Sequence, residues 1–157
     1  MTRPTPVHSS FTIEREFAAP RELVFNAWTD PEAKANWFIG PDGWTETGRT
    51  FDARPGGVDT LRGRFQSGVE TLYTARYHEI RSHDLIVYAY DMHIDGGHLS
   101  TSLSTVVLHA DGDKTKQVYT EQAVHFDGED GSISRQGGVG TLFEHLAAYL
   151  ETMRSAA

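Results

Sequence analysis

Apolar positions alternate with polar ones through the start and middle of the chain and fall at helical spacing near its end. Phe11, Ile13, Arg15 and Phe17 alternate with Thr12, Glu14 and Glu16, the period of a half-buried strand that carries one arginine on its apolar side. Pro20 then opens a helix, because its missing N–H is no loss at a helix start, and Leu23, Val24, Ala27 and Trp28 form one stripe. Asp30-Pro31 repeats the signal and predicts a second short helix to about Trp37. From Trp44 to Asp127 the pattern is that of successive strands, an antiparallel meander. It is punctuated at Pro55-Gly56-Gly57, Ser67-Gly68, Ser82-His83-Asp84, Asp95-Gly96-Gly97 and Asp111-Gly112-Asp113. In Leu85–Ile94 the residues Ile86, Tyr88, Tyr90, Met92 and Ile94 share one face, and the apolar content of both faces predicts a central, covered strand. A glycine- and serine-rich link then leads to Gly140, where Leu142, Phe143, Leu146, Tyr149, Leu150 and Met153 predict an amphipathic helix of about four turns.

The order is one strand, two short helices, a run of antiparallel strands and a long C-terminal helix. A sheet of six or seven strands must bury one face, and the terminal helix is the element long enough to cover it. A curved sheet gripping that helix leaves an internal gap where a ligand would enter, an α+β architecture. Residues 1–10, with two prolines and little apolar material, read as a disordered N-terminal arm, and residues 11–157 as a single domain.

Composition narrows the function. Lysine and arginine total 14 against 22 aspartate and glutamate, a net charge of −8 that opposes binding to nucleic acid or an anionic membrane. Zero cysteines exclude disulfides, thiolate metal sites and cysteine nucleophiles. No apolar run approaches the roughly 20 residues of a membrane span, and the start lacks the apolar stretch of a signal peptide, so a cytoplasmic location is expected.

The candidate chemistry is a concentration of aromatic residues. Trp28, Trp37, Phe38 and Trp44 gather around the paired helices, and Tyr73, Tyr77, Tyr88 and Tyr90 lie on strands, a supply of flat walls and hydroxyls for a ligand cavity. Phe51, Phe65, Met92, Phe143 and Leu146 join Trp37, Phe38, Trp44, Tyr73, Tyr88 and Tyr90 as candidate ligand contacts. If Arg49 shares the face of Phe51 it points inward, and Glu121, which shares strand parity with Tyr119, is its natural partner. Glu121 is also the candidate for acid–base catalysis. Asp91 and His93, with His109 or His125, do not form a recognised metal spacing, and neither a metal nor a cofactor is expected. Gly137-Gly138-Val139-Gly140 lacks the context of a phosphate loop and reads as a hinge or lid joint.

Several strings resemble the START-like, or SRPBCC, helix-grip (Bet v 1-like) superfamily, and within it the group named after the activator of Hsp90 ATPase. They are Trp37-Phe38 with Pro41, Asp52-Ala53-Arg54-Pro55-Gly56-Gly57, Ile86 to Met92, Ser102 to Val106, Tyr119 to Gln122, and Leu146 to Leu150. Val139, where relatives often carry tryptophan, and Ala75, where glycine is usual, depart from the pattern. The resemblance implies an internal apolar cavity in a protein that binds a lipid, polyketide or similar metabolite. It leaves as alternatives a cyclase or aromatase and a regulator of a chaperone. A small apolar or aromatic ligand is the expected partner, with a homodimer and a chaperone as further partners.

Overall fold

In the computed structural model, which describes residues 3–156, the first strand starts before the apolar alternation does. Strand β1 (Val7–Phe17) pairs with β7 (Lys114–His125) from Val7 opposite His125 to Phe17 opposite Thr115. Residues 7–10, read as part of a loose arm, are thus held by the backbone ladder, which needs no apolar side chains. Helices α1 (Arg21–Thr29) and α2 (Pro31–Ala35) follow, and Asp30 caps α2 by accepting the Ala33 N–H at 2.9 Å.

Strands β2 (Trp44–Thr50), β3 (Val58–Phe65), β4 (Glu70–Arg81), β5 (Leu85–Ile94), β6 (Gly97–Asp111) and β7 form the meander. With β1 laid beside β7, the antiparallel sheet runs β1-β7-β6-β5-β4-β3-β2. The predicted turns all join strands. Gly68 and Gly112, with φ of 94° and 62°, supply a left-handed backbone at two of them. Register shifts at Glu46/Gly48, Tyr77/Glu79 and Met92/His93 are the bulges that bend such a sheet. The sheet is a curved face that carries buried Tyr73, Tyr77, Ile86, Tyr88, Tyr90, Val106 and Tyr119.

The covering helix α3 (Ser132–Ala156) is longer than the sequence pattern predicts. Gly137, Gly138 and Gly140 lie inside it rather than in a link before it. Its stripe of Val139, Phe143, Leu146 and Leu150 is buried, and Arg15 on β1 donates to the Gly140 carbonyl at 3.3 Å, so packing outweighs glycine's low helix propensity. Helix α3 packs mainly on β1 and α1 and leaves the β2–β3 side of the sheet uncovered. No helix among the described residues is long and apolar enough to cross a membrane.

Candidate functional site: an aromatic cavity between sheet and helix

A cavity of about 620 Å³ lies between the curved sheet, α1, the α2–β2 loop and α3. Its walls include Trp28, Trp37, Phe38, Trp44, Tyr73, Tyr88, Tyr90 and Phe143, with Leu61, Phe65, Met92 and Leu142 between them. Solvent-exposed Ile39 and Pro41 on one side and Ser134, Gly138 and Thr141 of α3 on the other mark its mouth, where α3 leaves the sheet uncovered.

The walls are set by internal hydrogen bonds and ring packing. Trp28 and Trp37 pack edge to face at 4.8 Å; Trp28 Nε1 donates to Gln117 Oε1 and Trp37 Nε1 to the Ala27 carbonyl, each at 2.9 Å. Trp44 Nε1 donates to Thr71 Oγ1 at 2.9 Å, and a Cβ on either Gly40 or Gly63 would collide with the Trp44 ring. Two glycines therefore form the slot that holds this indole. All three indole N–H groups have protein acceptors, so the rings offer a ligand apolar surface of fixed shape.

The inner end is polar. Glu121, fully buried on β7, accepts from Tyr119 Oη at 2.6 Å, Tyr90 Oη at 2.8 Å, Ser102 Oγ at 3.0 Å and Arg135 Nη1 at 3.1 Å. Arg135, from the second turn of α3, lines the cavity and also reaches Tyr90 Oη at 2.9 Å and Ser100 Oγ at 2.8 Å. Tyr73 Oη and His125 Nδ1 belong to lining residues and are buried without a protein partner. Burial, and then the neighbouring tyrosines, keep the Tyr73 phenol far above its ordinary pKa, so it remains a hydroxyl. Burial, and next the Arg135 charge, push the His125 imidazolium below its ordinary range, which leaves the ring neutral at pH 7.

A second buried cluster sits behind the wall. Lys34 Nζ on α2 donates to Asp59 Oδ2 at 3.2 Å and to Tyr77 Oη at 3.0 Å, and Tyr77 Oη donates to Asp59 Oδ2 at 2.6 Å. Five rings, those of Trp28, Phe38, Phe51, Tyr77 and Tyr88, surround the ammonium at 4.8–5.8 Å. Burial lowers the Lys34 pKa, and the Asp59 carboxylate opposes that shift. The cluster ties α2 to β3 and β4 and so fixes the segment that carries Trp37 and Phe38.

Of the residues singled out in the sequence, Trp37, Phe38, Trp44, Phe65, Tyr73, Tyr88, Tyr90, Met92 and Phe143 meet on the cavity wall. Four do not reach it. Arg49 lies on the inner face, opposite Leu61, but folds against the Phe38 carbonyl at 2.6 Å and Glu46 at 3.0 Å and does not pair with Glu121. Phe51 packs on Tyr77 and Lys34, Leu146 is enclosed in the core, and Glu121 sits behind Tyr90, Tyr119 and Arg135. The true partner of Glu121 was legible in principle: stepping the α3 stripe back from Val139 by four residues places Arg135 inward. Lys34 carried no such signal. Among the described residues, no group of three metal-ligating side chains forms.

A curved antiparallel sheet closed by a C-terminal helix over an internal cavity defines a helix-grip protein. The chain belongs to the family of Activator of Hsp90 ATPase homolog 1-like proteins, whose model matches residues 18–151. Among solved structures, a Rhizobium loti protein is 36% identical, with 92% of this chain and 99% of that one covered at a TM-score of 0.86. An uncharacterized Rhizobium leguminosarum protein is 35% identical, covering 94% of this chain and 97% of that chain at a TM-score of 0.89. A Chromobacterium violaceum protein is 25% identical over 90% of this chain and 96% of that chain, at a TM-score of 0.74. None of the curated proteins matches the chain.

Proposed function

We propose that the protein is a cytoplasmic carrier or sensor that holds a small, largely apolar aromatic metabolite in the cavity between sheet and α3. The observation that carries this reading is the wall itself: about 620 Å³ bounded by ten Trp, Tyr and Phe side chains, with the three indole N–H groups already supplied with acceptors. The volume is that of ordinary small-molecule sites, and flat apolar walls suit a flat apolar ligand. The cyclase alternative has less support, since a general base needs a lone pair within reach of the substrate and Glu121 spends its acceptor sites on four protein donors. A role with a chaperone rests on the family description alone.

Native mass spectrometry of the protein purified from its own host tests the proposal, paired with quenching of tryptophan fluorescence by naphthalene-type probes. A non-covalent adduct released on denaturation, and saturable quenching, are expected. Ligand-free protein that no probe quenches overturns the reading.

A further inference from the structure

Resting on that binding reading, we infer that the inner end of the cavity recognises one uncharged oxygen of the ligand, a carbonyl or a hydroxyl, through Arg135. A guanidinium has five N–H donors. The two on Nη1 are shared among Tyr90 Oη, Ser102 Oγ and Glu121 Oε2 at 2.9, 3.2 and 3.1 Å, and Nη2 gives one to Ser100 Oγ at 2.8 Å. The Nε hydrogen and the second Nη2 hydrogen have no protein acceptor, on a side chain that lines the cavity. The guanidinium is held by contacts on β5, β6 and β7, so its two spare donors are fixed in place before a ligand arrives, and an acceptor oxygen on the ligand completes their hydrogen bonding.

Charge decides which oxygen. Arg135 already has a full counter-charge in Glu121 at 3.1 Å, and exposed Asp127 adds a negative charge at the cavity rim. Among the described residues no second lysine or arginine lines the cavity. A carboxylate ligand would therefore enter an apolar chamber as an excess anion with no free cation to meet it, which is strongly unfavourable. A ketone or hydroxyl gives the same spare donors an acceptor and adds no charge. The unpartnered Tyr73 Oη and His125 Nδ1 enlarge the hydrogen-bonding capacity of the same cavity, also without charge.

The test is isothermal titration at pH 7.5 with three probes of one shape: 2-ethylnaphthalene, 2-acetylnaphthalene and 2-naphthoate. In the wild type the ketone should bind about 10-fold more tightly than the ethyl compound, the worth of one well-placed hydrogen bond to a charged donor. The carboxylate should bind more weakly than the ketone. Arg135→Met should abolish the ketone's advantage and leave the ethyl compound's affinity in place. Because that variant strands Glu121, the double change Arg135→Met with Glu121→Gln removes both charges together and should give the same ranking. Tightest binding by the carboxylate, equal binding of ketone and ethyl probes, or a ketone advantage that survives both variants overturns the inference while leaving the binding reading intact. Binding by none of the three overturns the binding reading itself.

Discussion

A carboxylate that accepts four hydrogen bonds behaves as a structural anchor, and Glu121 joins β5, β6, β7 and α3 in that way. Glu121→Gln keeps the shape but turns two acceptor sites into donors that face a guanidinium and a hydroxyl. Removing one member of a buried ion pair destabilises by about 3–5 kcal/mol. The variant should therefore lose about that much in urea denaturation, and a loss within error of zero would remove the anchor role. Gly137 lies at the opposite extreme. It is exposed, keeps an ordinary helical backbone inside α3, and a Cβ there would meet nothing within 4 Å. Gly137→Ala should raise stability by about 0.5–1 kcal/mol through helix propensity, read as a shift in urea midpoint at unchanged slope. At this scale the sequence was a partial guide. Glu121 is legible as inward from strand parity, but the partners of Arg49 are not legible, since the α2–β2 loop and the bulge in β2 bring the Phe38 carbonyl and Glu46 to it. Lys34 was opaque for a related reason: nothing in a five-residue helix announces that Asp59 and five rings will close over it.

Elements were easier to read than their ends. The five turns and the central β5 followed from alternation and turn chemistry, because burial of one sheet face imposes period two. The start of α3 did not follow, because glycine propensity argues against a helix that tertiary contacts from Arg15, Arg135 and Val139 then impose. Helix α3 seals the core through Leu146, which has no exposed surface. Leu146→Ala should lower stability by about 2–5 kcal/mol, and an unchanged melting temperature would mean that this helix is not what closes the sheet. The wall between β2 and β3 is tested by the glycine slot. Gly63→Ala places a methyl group against the Trp44 ring, so the indole must leave its position beside Thr71. The expected outcome is a loss of about 1–3 kcal/mol and a red shift of tryptophan emission as that ring gains solvent. Emission identical to wild type would show that the slot is wider than its geometry.

At the scale of the whole molecule, the polar inner end is where sheet and helix are joined, so its protonation bears on global stability. His125 sits at the end of β7 against Gly131, where a Cβ would collide with Nε2, and its Nδ1 has no protein partner. Desolvation first, and the nearby Arg135 charge second, hold its folded-state pKa below the ordinary 6.5. Between that lowered value and 6.5 the unfolded chain binds more protons than the folded one, so unfolding free energy rises with pH across this window. The stabilising contribution is fully present above 6.5 and is lost as the pH falls through the folded-state value. The wild type should therefore lose stability relative to His125→Gln when urea denaturation is carried from pH 8 to pH 5, with the two curves parallel above pH 7. The comparison isolates this one group because other titrating residues are common to both proteins. If the gap between the two is constant over the whole range, His125 titrates alike in both states and the inner end of the cavity is wetter than its packing implies.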